Sequence, residues 1–472
     1  MSAAADRRIS WYTGARHIRK QEDLRKIADM KIVLPEKVNK IITALEARGY
    51  EAYAVGGCVR DSLLGRTPQD WDITTSAKPE QVKQLFSHTI DTGIAHGTVT
   101  VMLQREGFEV TTYRIDGEYE DARHPKEVQF TADLREDLRR RDFTINAMAY
   151  NETAGLVDAF DGMADLNSGV IRCVGKAAER FSEDALRMLR AVRFAAQLGF
   201  FIEEETKDAI RQLAPSLAKV SAERIQAELV KLLVSAHPKE LRTAYETGLT
   251  AVFLPELDRM MVCEQHHPHH CCSVGDHTIE ALGNVTADRV LRLAVLLHDV
   301  AKPLCRTTDE NGIDHFYGHP AKGAELARRI LRRLKFDNDT TDAVCRLIAW
   351  HDDRPALSER SVRRAVHRIG TEQYPAIFAV KRADILAQSD YRREEKLAYV
   401  AEYERIYQEI RRKQQCLTIR DLAVGGRELI AAGMKPGREI GEALERLLEL
   451  VLDDPSCNTK ERLLAEAEKM IQ

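Results

Sequence analysis

The sequence predicts an α+β protein, in which a small mixed β-sheet is followed by a long, entirely helical remainder. Short runs rich in β-branched and aromatic residues, such as GTVTVML and FEVTTYRI, lie between Tyr53 and Tyr150 and are typical of strands in a half-buried sheet. After Val170 these runs stop, and helical patterns continue to the end of the chain. A chain of 472 residues is too long for one ordinary core, and about three domains are expected.

Composition and charge are those of an ordinary globular protein. Apolar residues make up 44% of the chain and charged residues 31%, and no apolar run is long enough to cross a bilayer. Residues 1–20 lack the apolar core of a secretory signal, and the nine cysteines are not regularly spaced, so we expect reduced thiols in a cytoplasmic protein. The formal net charge of −4 argues against a generally basic nucleic-acid binder but not against local basic patches.

The first predicted helix precedes the sheet. Apolar residues recur at helical spacing from Ile32 to Leu45, and Gly49 is placed to end the helix. Residues 1–29 are polar and irregular, so we expect them to form an extension outside a domain that starts near Met30.

The segment VGGCVRDSLLGRTPQDWDITT, residues 55–75, contains a Gly-Gly turn, an arginine and two aspartates separated by one residue. If Asp70 and Asp72 lie on a strand, their carboxylates point to the same face and converge. Such a pair suits a hard divalent cation, most simply Mg²⁺, bound together with substrate phosphates. A bare D-x-D is usually an acidic turn, but the glycine turn at Gly57 and the nearby Arg60 can both contact phosphate oxygens.

A glycine turn followed by D-x-D at this distance describes the active strand of a nucleotidyltransferase. In that chemistry, two metals held by carboxylates activate a 3′-hydroxyl and stabilise the pyrophosphate leaving group. A third carboxylate is expected on a neighbouring strand, and Glu109 in FEVTTYRI is the candidate.

Three segments resemble the motifs of class II tRNA nucleotidyltransferases, the family of the CCA-adding enzymes and the bacterial poly(A) polymerases. The segments are GGCVRDSLLGRTPQDWDITT, RRDFTINAMAY at 140–150 and VDAFDGMADLNSGVIRCVG at 157–175, and they occur in the family's order. The resemblance implies that Arg141, with Arg140 beside it, contacts the nucleotide. By itself, a run of three arginines is more often a solvated face.

The segment FSEDALRMLRAVRFAAQLGF predicts one amphipathic helix over 181–200, with Ser182 as N-cap and Gly199 as terminator. Its polar residues are three apart and share one face: Asp184, Arg187, Arg190 and Arg193. An ordinary surface ion pair, worth a few tenths of a kcal/mol, is the simpler explanation of this spacing.

The resemblance favours base selection instead, because Glu183-Asp184-Ala185-Leu186-Arg187 matches the family's Glu-Asp-x-x-Arg template motif. A carboxylate accepts a hydrogen bond from the exocyclic amine that cytosine and adenine share, and an arginine donates to their ring acceptor. Uracil and guanine would leave these groups unpaired. Arg190 and Arg193 match further nucleotide-contacting arginines of the same helix.

Two features favour complete CCA addition over poly(A) addition. Poly(A) polymerases of this family carry a basic-aromatic segment before the strand that follows the D-x-D helix, and IDTGIAHGTVTVML at 90–103 lacks it. The polar stretch DGEYEDARHPKE at 116–127 resembles the flexible loop with which CCA-adding enzymes switch from CTP to ATP.

The helical part contains a second candidate metal site. His277, His298-Asp299 and Asp384 resemble the H…HD…D pattern of HD-domain metal phosphohydrolases, which bacterial members of this family often contain, and His319 and His351 could add to it. Imidazole and carboxylate ligands suit Mn²⁺, Fe²⁺, Ni²⁺ or Zn²⁺ better than Mg²⁺. A retained helical fold without activity is an equally good explanation.

The predicted function is CTP- and ATP-dependent addition or repair of the 3′-terminal CCA of tRNA, with no membrane partner. The alternatives are a bacterial poly(A) polymerase and an HD-domain phosphohydrolase with a degenerate transferase head. The predicted parts are an N-terminal extension at 1–29, a nucleotidyltransferase head at 30–160, a neck with the nucleotide-selecting helix at 161–245, an HD-type body at 246–395 and a helical tRNA-binding tail at 396–472.

Overall fold

A computed structural model describes residues 32–117, 128–270 and 272–471. The predicted extension at 1–29 and nearly all of the predicted loop at 116–127 lie outside the described residues. The chain divides into two compact units, the first reaching Ala191 and including Phe200–Lys219, the second comprising Val192–Gly199 and the chain from Val220 onward. The finer division into an extension, head, neck, body and tail stays a prediction.

The first unit is built on a mixed sheet, as the β-rich runs predict. Its strands and those of a neighbouring two-stranded ribbon are β1 (Ala52–Val55), β2 (Ile73–Thr75), β3 (Thr89–Gly93), β4 (Thr98–Leu103), β5 (Glu106–Thr112), β6 (Arg114–Asp116), β7 (Val128–Phe130), β8 (Met148–Asn151) and β9 (Gly155–Asp158). The seven-stranded sheet has the order β3-β4-β5-β2-β1-β8-β9, and β6 pairs with β7. Within the described sheet, β2 and β5 are parallel and the other neighbours are antiparallel.

Strand β4 shows why these runs form a half-buried sheet. Its valines Val99 and Val101 are fully buried, whereas the alternating threonines Thr98 and Thr100 are partly exposed. The parallel pair of the seven-stranded sheet brings the start of β2 beside β5, because Ile73 stands opposite Val110. A second parallel pair, Val170–Ile171 with Phe201–Ile202, forms a separate two-stranded sheet.

The first α-helix in the described part of the first unit is the one predicted before the sheet. They are α1 (Glu36–Glu46), α2 (Gly57–Leu63), α3 (Pro79–Leu85), α4 (Leu134–Arg139), α5 (Gly162–Ser168), α6 (Ala177–Glu183), α7 (Leu186–Leu198, which continues into the second unit) and α8 (Glu204–Leu213). Helix α1 buries Val38, Ile41, Ile42 and Leu45, and the chain leaves it through Gly49 with φ of +83°. Part of the core comprises Tyr53, Val55, Tyr113, Leu138 and Ala149.

The prediction of one helix over 181–200 is wrong, since the chain breaks at Asp184. Ser182 lies inside α6, where its hydroxyl donates to the Ala178 carbonyl at 2.8 Å, and is not an N-cap. Asp184 has extended backbone angles (φ −142°, ψ 103°), and its Oδ1 accepts from the Leu186 amide at 3.1 Å. A short acidic side chain competes in this way for backbone donors and starts a new helix. Gly199 ends α7 with φ of +71°, as predicted.

The second unit is helical, apart from a two-residue ribbon formed by Thr307–Thr308 and Asp314–His315 in the described chain. Its remaining helices are α9 (Ala222–Leu233), α10 (Leu241–Glu246), α11 (Thr250–Phe253), α12 (Pro255–Met261), α13 (Val274–Leu282), α14 (Arg289–Leu297), α15 (Lys302–Cys305), α16 (His319–Arg333), α17 (Asn338–Trp350), α18 (Glu359–Ile369), α19 (Tyr374–Ala387), α20 (Arg393–Arg412), α21 (Gly426–Ala431), α22 (Arg438–Asp453) and α23 (Lys460–Ile471). None of the described helices is long and apolar enough to cross a membrane.

Candidate active sites

The predicted metal-binding aspartates lie directly before β2, which begins at Ile73, and not on the strand itself. The backbone of Asp72 still continues the sheet, because its carbonyl accepts from the Val55 amide at 3.0 Å. Since Ile73 stands opposite Val110 in the parallel pair, Asp72 and Glu109 occupy neighbouring positions one residue earlier on the two chains. The sheet therefore brings Glu109 to the D-x-D segment, as expected for a third carboxylate.

Asp70, Asp72 and Glu109 form an acidic cluster in which each charge opposes the others. Loss of surrounding water raises the pKa of Asp72, and the charge of Arg141 opposes this shift whereas that of Asp70 adds to it. Burial also raises the pKa of Glu109, with further contributions from Asp72 and Asp70. Three carboxylates that interact electrostatically offer the oxygen ligands that a hard divalent cation prefers, so the residue types present fit such an ion.

Arg141 lies against the glycine turn. A Cβ atom on Gly56 would stand 2.8 Å from Arg141 Nη1, so a side chain there would displace the Arg141 guanidinium, and the φ of +84° requires glycine. Gly57 is less constrained, because the nearest atom to its Cβ position is Arg60 Nη2 at 3.7 Å. The Arg141 Nε is buried without a hydrogen-bond partner among the residues that the structure describes. An anionic ligand would satisfy this donor.

A buried chain of hydrogen bonds links α2 to α7. Arg60 donates through Nε to Asp61 Oδ1 at 2.9 Å and through Nη1 to Asn146 Oδ1 at 2.7 Å. Asn146 in turn donates to Asp142 Oδ1 at 3.1 Å, and Arg190 donates to Asp142 Oδ2 at 2.8 and 2.6 Å. Burial alone would raise the pKa of Asp142, but Arg190 and these hydrogen bonds hold that pKa well below its usual range.

The proposed base-selecting residues lie at the break between α6 and α7. Arg187 is held by Glu183 Oε2 at 2.5 Å and by the Arg140 carbonyl at 2.9 Å. Asp184 is the capping residue one turn before Arg187, and the Arg187 amide donates to its carbonyl at 3.0 Å. The structure therefore places Asp184, Arg187 and Arg190 beside the RRDFTINAMAY segment.

Arg193 lies about one turn beyond Arg190 on α7, in the second compact unit. It forms an ion pair with the buried Glu228 and donates to Gln197 Oε1 at 2.7 Å. Its Cζ atom lies 3.7 Å from the centroid of the Phe194 ring. These contacts support an anchoring role within that unit, and the predicted nucleotide contact of Arg193 stays a prediction.

Sequence reasoning missed Asp142 and Asn146. Asp142 follows Arg141 directly in RRDFTINAMAY, and Asn146 stands four residues later in an otherwise apolar run. Two polar residues at this spacing in a segment that reads as buried require internal partners, and this signal was available.

In the second unit, four histidines and two aspartates meet between five helices. His277 lies on α13, His298 and Asp299 follow α14, and the others lie on or next to α16, α17 and α19: His319, His351 and Asp384. We call these six residues the histidine–aspartate cluster. All four histidines are less than a tenth exposed. The predicted ligand set is therefore assembled as expected, although metal binding itself stays a prediction.

The four imidazoles are held in the same way, each through its Nδ1. Each Nδ1 lies 2.7 to 3.3 Å from a backbone carbonyl oxygen, namely that of Ala387, Val295, Phe316 or Ile348. Because a carbonyl can only accept, Nδ1 carries a proton in each imidazole, and Nε2 is the atom that faces the cluster, where His319 Nε2 and His351 Nε2 lie 3.2 Å apart. This is the arrangement of histidines that ligate metals.

Asp299 is central to the cluster. Its Oδ2 lies 3.2 Å from His298 Nε2, and its Oδ1 lies 3.4 Å from His319 Nε2 and 3.8 Å from His351 Nε2. Burial alone would raise the pKa of Asp299, but His298 and Lys302 hold that pKa well below its usual range. An ionised carboxylate among imidazole lone pairs fits a transition metal.

Two further atoms face the centre of the cluster. His277 Nε2 and His298 Nε2 are buried and have no hydrogen bond of normal geometry within the described chain, although Asp384 Oδ1 lies 2.9 Å from the former. Burial and the neighbouring His298 lower the pKa of His351 to about 4, which keeps this imidazole neutral. The buried, unpartnered nitrogens of His277 and His298 are the donors that a metal ion would occupy.

A mixed sheet with a glycine turn, an acidic cluster and an arginine against that turn defines a nucleotidyltransferase. The family models agree: residues 52–172 match the "Poly A polymerase head domain", 199–261 the "Probable RNA and SrmB- binding site of polymerase A" and 319–467 the tRNA nucleotidyltransferase domain 2. The CCA-adding enzyme of Geobacillus kaustophilus is 38% identical over 435 residues, which cover 91% of this chain and 96% of that enzyme. The chain belongs to the CCA-adding enzyme family of tRNA nucleotidyltransferases.

Two further comparisons agree with this assignment. The CCA-adding enzyme of Lactiplantibacillus plantarum is 52% identical over 221 residues, which cover 47% of this chain and 53% of that enzyme. The crystal structure of the Bacillus stearothermophilus CCA-adding enzyme in complex with CTP matches with a TM-score of 0.72 at 31% identity, covering 93% of this chain and 98% of that one. The predicted α+β fold and family resemblance are confirmed, whereas the HD-domain assignment stays a prediction.

Proposed function

We propose that this chain adds or repairs the 3′-terminal CCA of tRNA in the cytoplasm, using CTP and ATP without a nucleic-acid template. The 3′-oxygen of the tRNA forms a bond to the α-phosphorus of the nucleotide, and the bond to pyrophosphate breaks. The observation that carries this proposal is that Arg187, at the helix break, donates to the Arg140 carbonyl, next to the Arg141 whose charge acts on Asp72. The relatives named as CCA-adding enzymes over nearly the whole chain support it.

In this proposal Asp70 and Asp72 hold Mg²⁺, with Glu109 as the third carboxylate. The ion would neutralise charge on the phosphates and lower the pKa of the attacking hydroxyl. Arg141 binds the nucleotide through its unpartnered Nε, and the turn at Gly56 and Gly57 lets the backbone approach the triphosphate.

In the observed side-chain positions, Arg60 supports the site instead of binding phosphate directly. Its guanidinium donates hydrogen bonds to Asp61 and Asn146, so Arg60 stabilises the site as one end of the buried hydrogen-bond chain. Arg190 at the other end of that chain is held by Asp142 and orients the base-selecting face of α7.

The decisive experiment supplies tRNA lacking CCA together with labelled CTP and ATP and resolves the product lengths. We expect extension by three nucleotides that requires both substrates. A long ladder made from ATP alone would instead identify a poly(A) polymerase, and an absence of incorporation would contradict both assignments.

We also propose a second site of different chemistry, in which the histidine–aspartate cluster holds a transition metal and hydrolyses phosphate esters. His277, His298, Asp299 and Asp384 would be the ligands, and His319 and His351 face the other oxygen of Asp299. The observation favouring this function is the pair of buried, unpartnered imidazole nitrogens.

The Asp299→Asn variant tests the metal site. After loading and desalting, we expect this variant to retain at most about a tenth of the Mn²⁺ that the wild type retains, because the substitution removes the charge of a shared ligand. CCA addition should be unchanged, which also shows that the variant folds. Metal content is measured by mass spectrometry.

The matched control is Asp342→Asn, at an exposed aspartate of the same unit that pairs with Arg328. It should bind as much Mn²⁺ as the wild type. Equal metal content in all three proteins, or none in the wild type, would contradict the proposed metal site.

A further inference from the structure

The guanidinium of Arg187 is held by three acceptors of the first unit. Its Nη1 donates to Glu183 Oε2 at 2.5 Å and to the Arg180 carbonyl at 3.2 Å, and its Nη2 donates to the Arg140 carbonyl at 2.9 Å. Because a guanidinium is planar and rigid, these acceptors define both its plane and its direction. The direction of Arg187 therefore depends on how firmly the side chain of Glu183 is held.

Glu183 is the last residue of α6, and its carboxylate lies between two arginines. Its Oε2 accepts from Arg187, and its Oε1 forms an ion pair with Nη2 of Arg180, three residues earlier on the same helix. Arg180 is braced on its other side, since its Nη1 donates to the Arg139 carbonyl at 3.3 Å. Arg180 therefore holds Glu183 in the position from which Glu183 holds Arg187.

The pair of Arg180 and Glu183 differs in burial from another ion pair of α6, that of Lys176 and Glu179. Both pairs have the same spacing in the sequence, but the side chains of Lys176 and Glu179 are 80% and 58% exposed, whereas those of Arg180 and Glu183 are only 16% and 21% exposed. An exposed pair contributes little, whereas a pair shielded from water is costly to break. The simple explanation of a solvated ion pair therefore fits Lys176 but not Arg180.

The carbonyls that accept from Arg180 and Arg187 lie at the end of α4, where a helix has no further donors of its own. This end of α4 is fixed to the sheet through the fully buried Asp137. Asp137 accepts from Arg140 Nη2 at 2.8 Å and from Thr74 Oγ1 at 3.0 Å, and Thr74 lies on β2, directly after the predicted metal ligands. The end of α4 is thus a fixed support for both arginines.

We propose that Arg180 is a positioning residue for base selection, which fixes Glu183 and, through Glu183, the direction of Arg187. The inference rests on the function proposed above, in which Arg187 donates to the ring acceptor of cytosine or adenine. Removal of Arg180 takes away the partner of Glu183 Oε1, so that Glu183 no longer holds Arg187 in one direction. Discrimination against uracil, which presents an N–H where cytosine has an acceptor, then falls.

The Arg180→Ala variant tests this inference through the choice of nucleotide. We expect the ratio of kcat/KM for CTP to kcat/KM for UTP to fall about tenfold, as is usual for the loss of a strong contact between neighbouring side chains. Incorporation into tRNA lacking CCA is measured over a series of CTP and UTP concentrations. A merely structural role would lower both values by the same factor and leave their ratio unchanged.

Two further substitutions separate the charge of Arg180 from its bulk. Arg180→Gln is neutral but retains a hydrogen-bond donor, and it should lower the ratio as much as Arg180→Ala does. Arg180→Lys keeps a cation beside Glu183 and should keep the ratio within about threefold of the wild type. A full loss of selectivity in Arg180→Lys, or none in Arg180→Gln, would contradict the proposed role of the ion pair.

A double variant tests whether Arg180 acts through Glu183. Glu183→Gln should itself lower the ratio, and adding Arg180→Ala to it should cause no further fall, because the link is already broken. If the two effects multiply instead, Arg180 acts by another route and the inference is wrong.

The matched control is Lys176→Ala, which breaks the exposed pair of the same spacing on α6 and should leave the ratio unchanged. An unchanged ratio in Arg180→Ala, or an equal fall in Lys176→Ala, would overturn the inference while CCA addition by the wild type remains. A wild type that adds no CCA would contradict the proposed function, and the inference with it.

Discussion

The Asp72→Ala variant is expected to lose nucleotide addition almost completely, with a rate at least about 10³-fold below the wild type. In the proposed mechanism, Asp72 holds the cation that neutralises charge developing on the phosphates. A contribution of about 4 kcal/mol to transition-state stabilisation corresponds to that factor. The variant should fold normally, because the Asp72 side chain keeps contact with solvent. The measurement is single-turnover incorporation of CMP into tRNA lacking CCA.

The control for this experiment is Asp91→Ala, at an exposed aspartate of the same unit that pairs with Lys83. It removes an acidic side chain away from the acidic cluster and should leave the rate unchanged. If Asp72→Ala incorporates CMP within tenfold of the wild-type rate, the assignment of Asp72 as a metal ligand is wrong.

The second large effect is expected at Asp184, where substitution should relax or redirect the choice of base. The position has two roles, because the carboxylate also caps α7 at the Leu186 amide. Asp184→Ala removes both roles, so selectivity should fall and about 1 kcal/mol of stability should be lost. Asp184→Asn keeps an oxygen for the cap and presents an amide donor to the base.

The asparagine variant should therefore favour UTP and GTP, whose carbonyl oxygens accept where cytosine and adenine donate. A hydrogen-bonded contact of this kind discriminates by about 1–3 kcal/mol, which is roughly 10- to 100-fold in the ratio of kcat/KM for CTP and UTP. The matched control is Glu179→Ala on the exposed side of α6, which should change neither selectivity nor stability. Full C and A selectivity in both Asp184 variants would refute the proposed template.

The buried hydrogen-bond chain couples the glycine turn to the first part of α7 within the first unit. Arg60, Asn146, Asp142 and Arg190 exchange charge-assisted or buried hydrogen bonds over the whole distance from the glycine turn to α7. Such bonds are costly to leave unmade, so a change at one end exposes an unpaired group at the next position.

The sequence predicted the order of elements where the pattern was local. The alternation in GTVTVML predicted a half-buried strand, and the spacing from Ile32 to Leu45 predicted α1, because both periodicities arise from the geometry of a single element. The same local reasoning failed at Ser182 and Asp184. Both residues can cap a helix, and which of them does so depends on whether the surroundings favour an interrupted or a continuous helix.

By itself, the sequence determined the chemical character of both sites: two aspartates beside a glycine turn, and a spaced set of histidines and aspartates. Only the tertiary structure decided which residues meet. The parallel pairing of β2 with β5 places Glu109 beside Asp72. The absence of a Cβ atom at Gly56 lets Arg141 lie against the glycine turn. Five helices orient four imidazoles toward Asp299. These juxtapositions join residues far apart in the chain, and their geometry is set by packing and register, which no local pattern records.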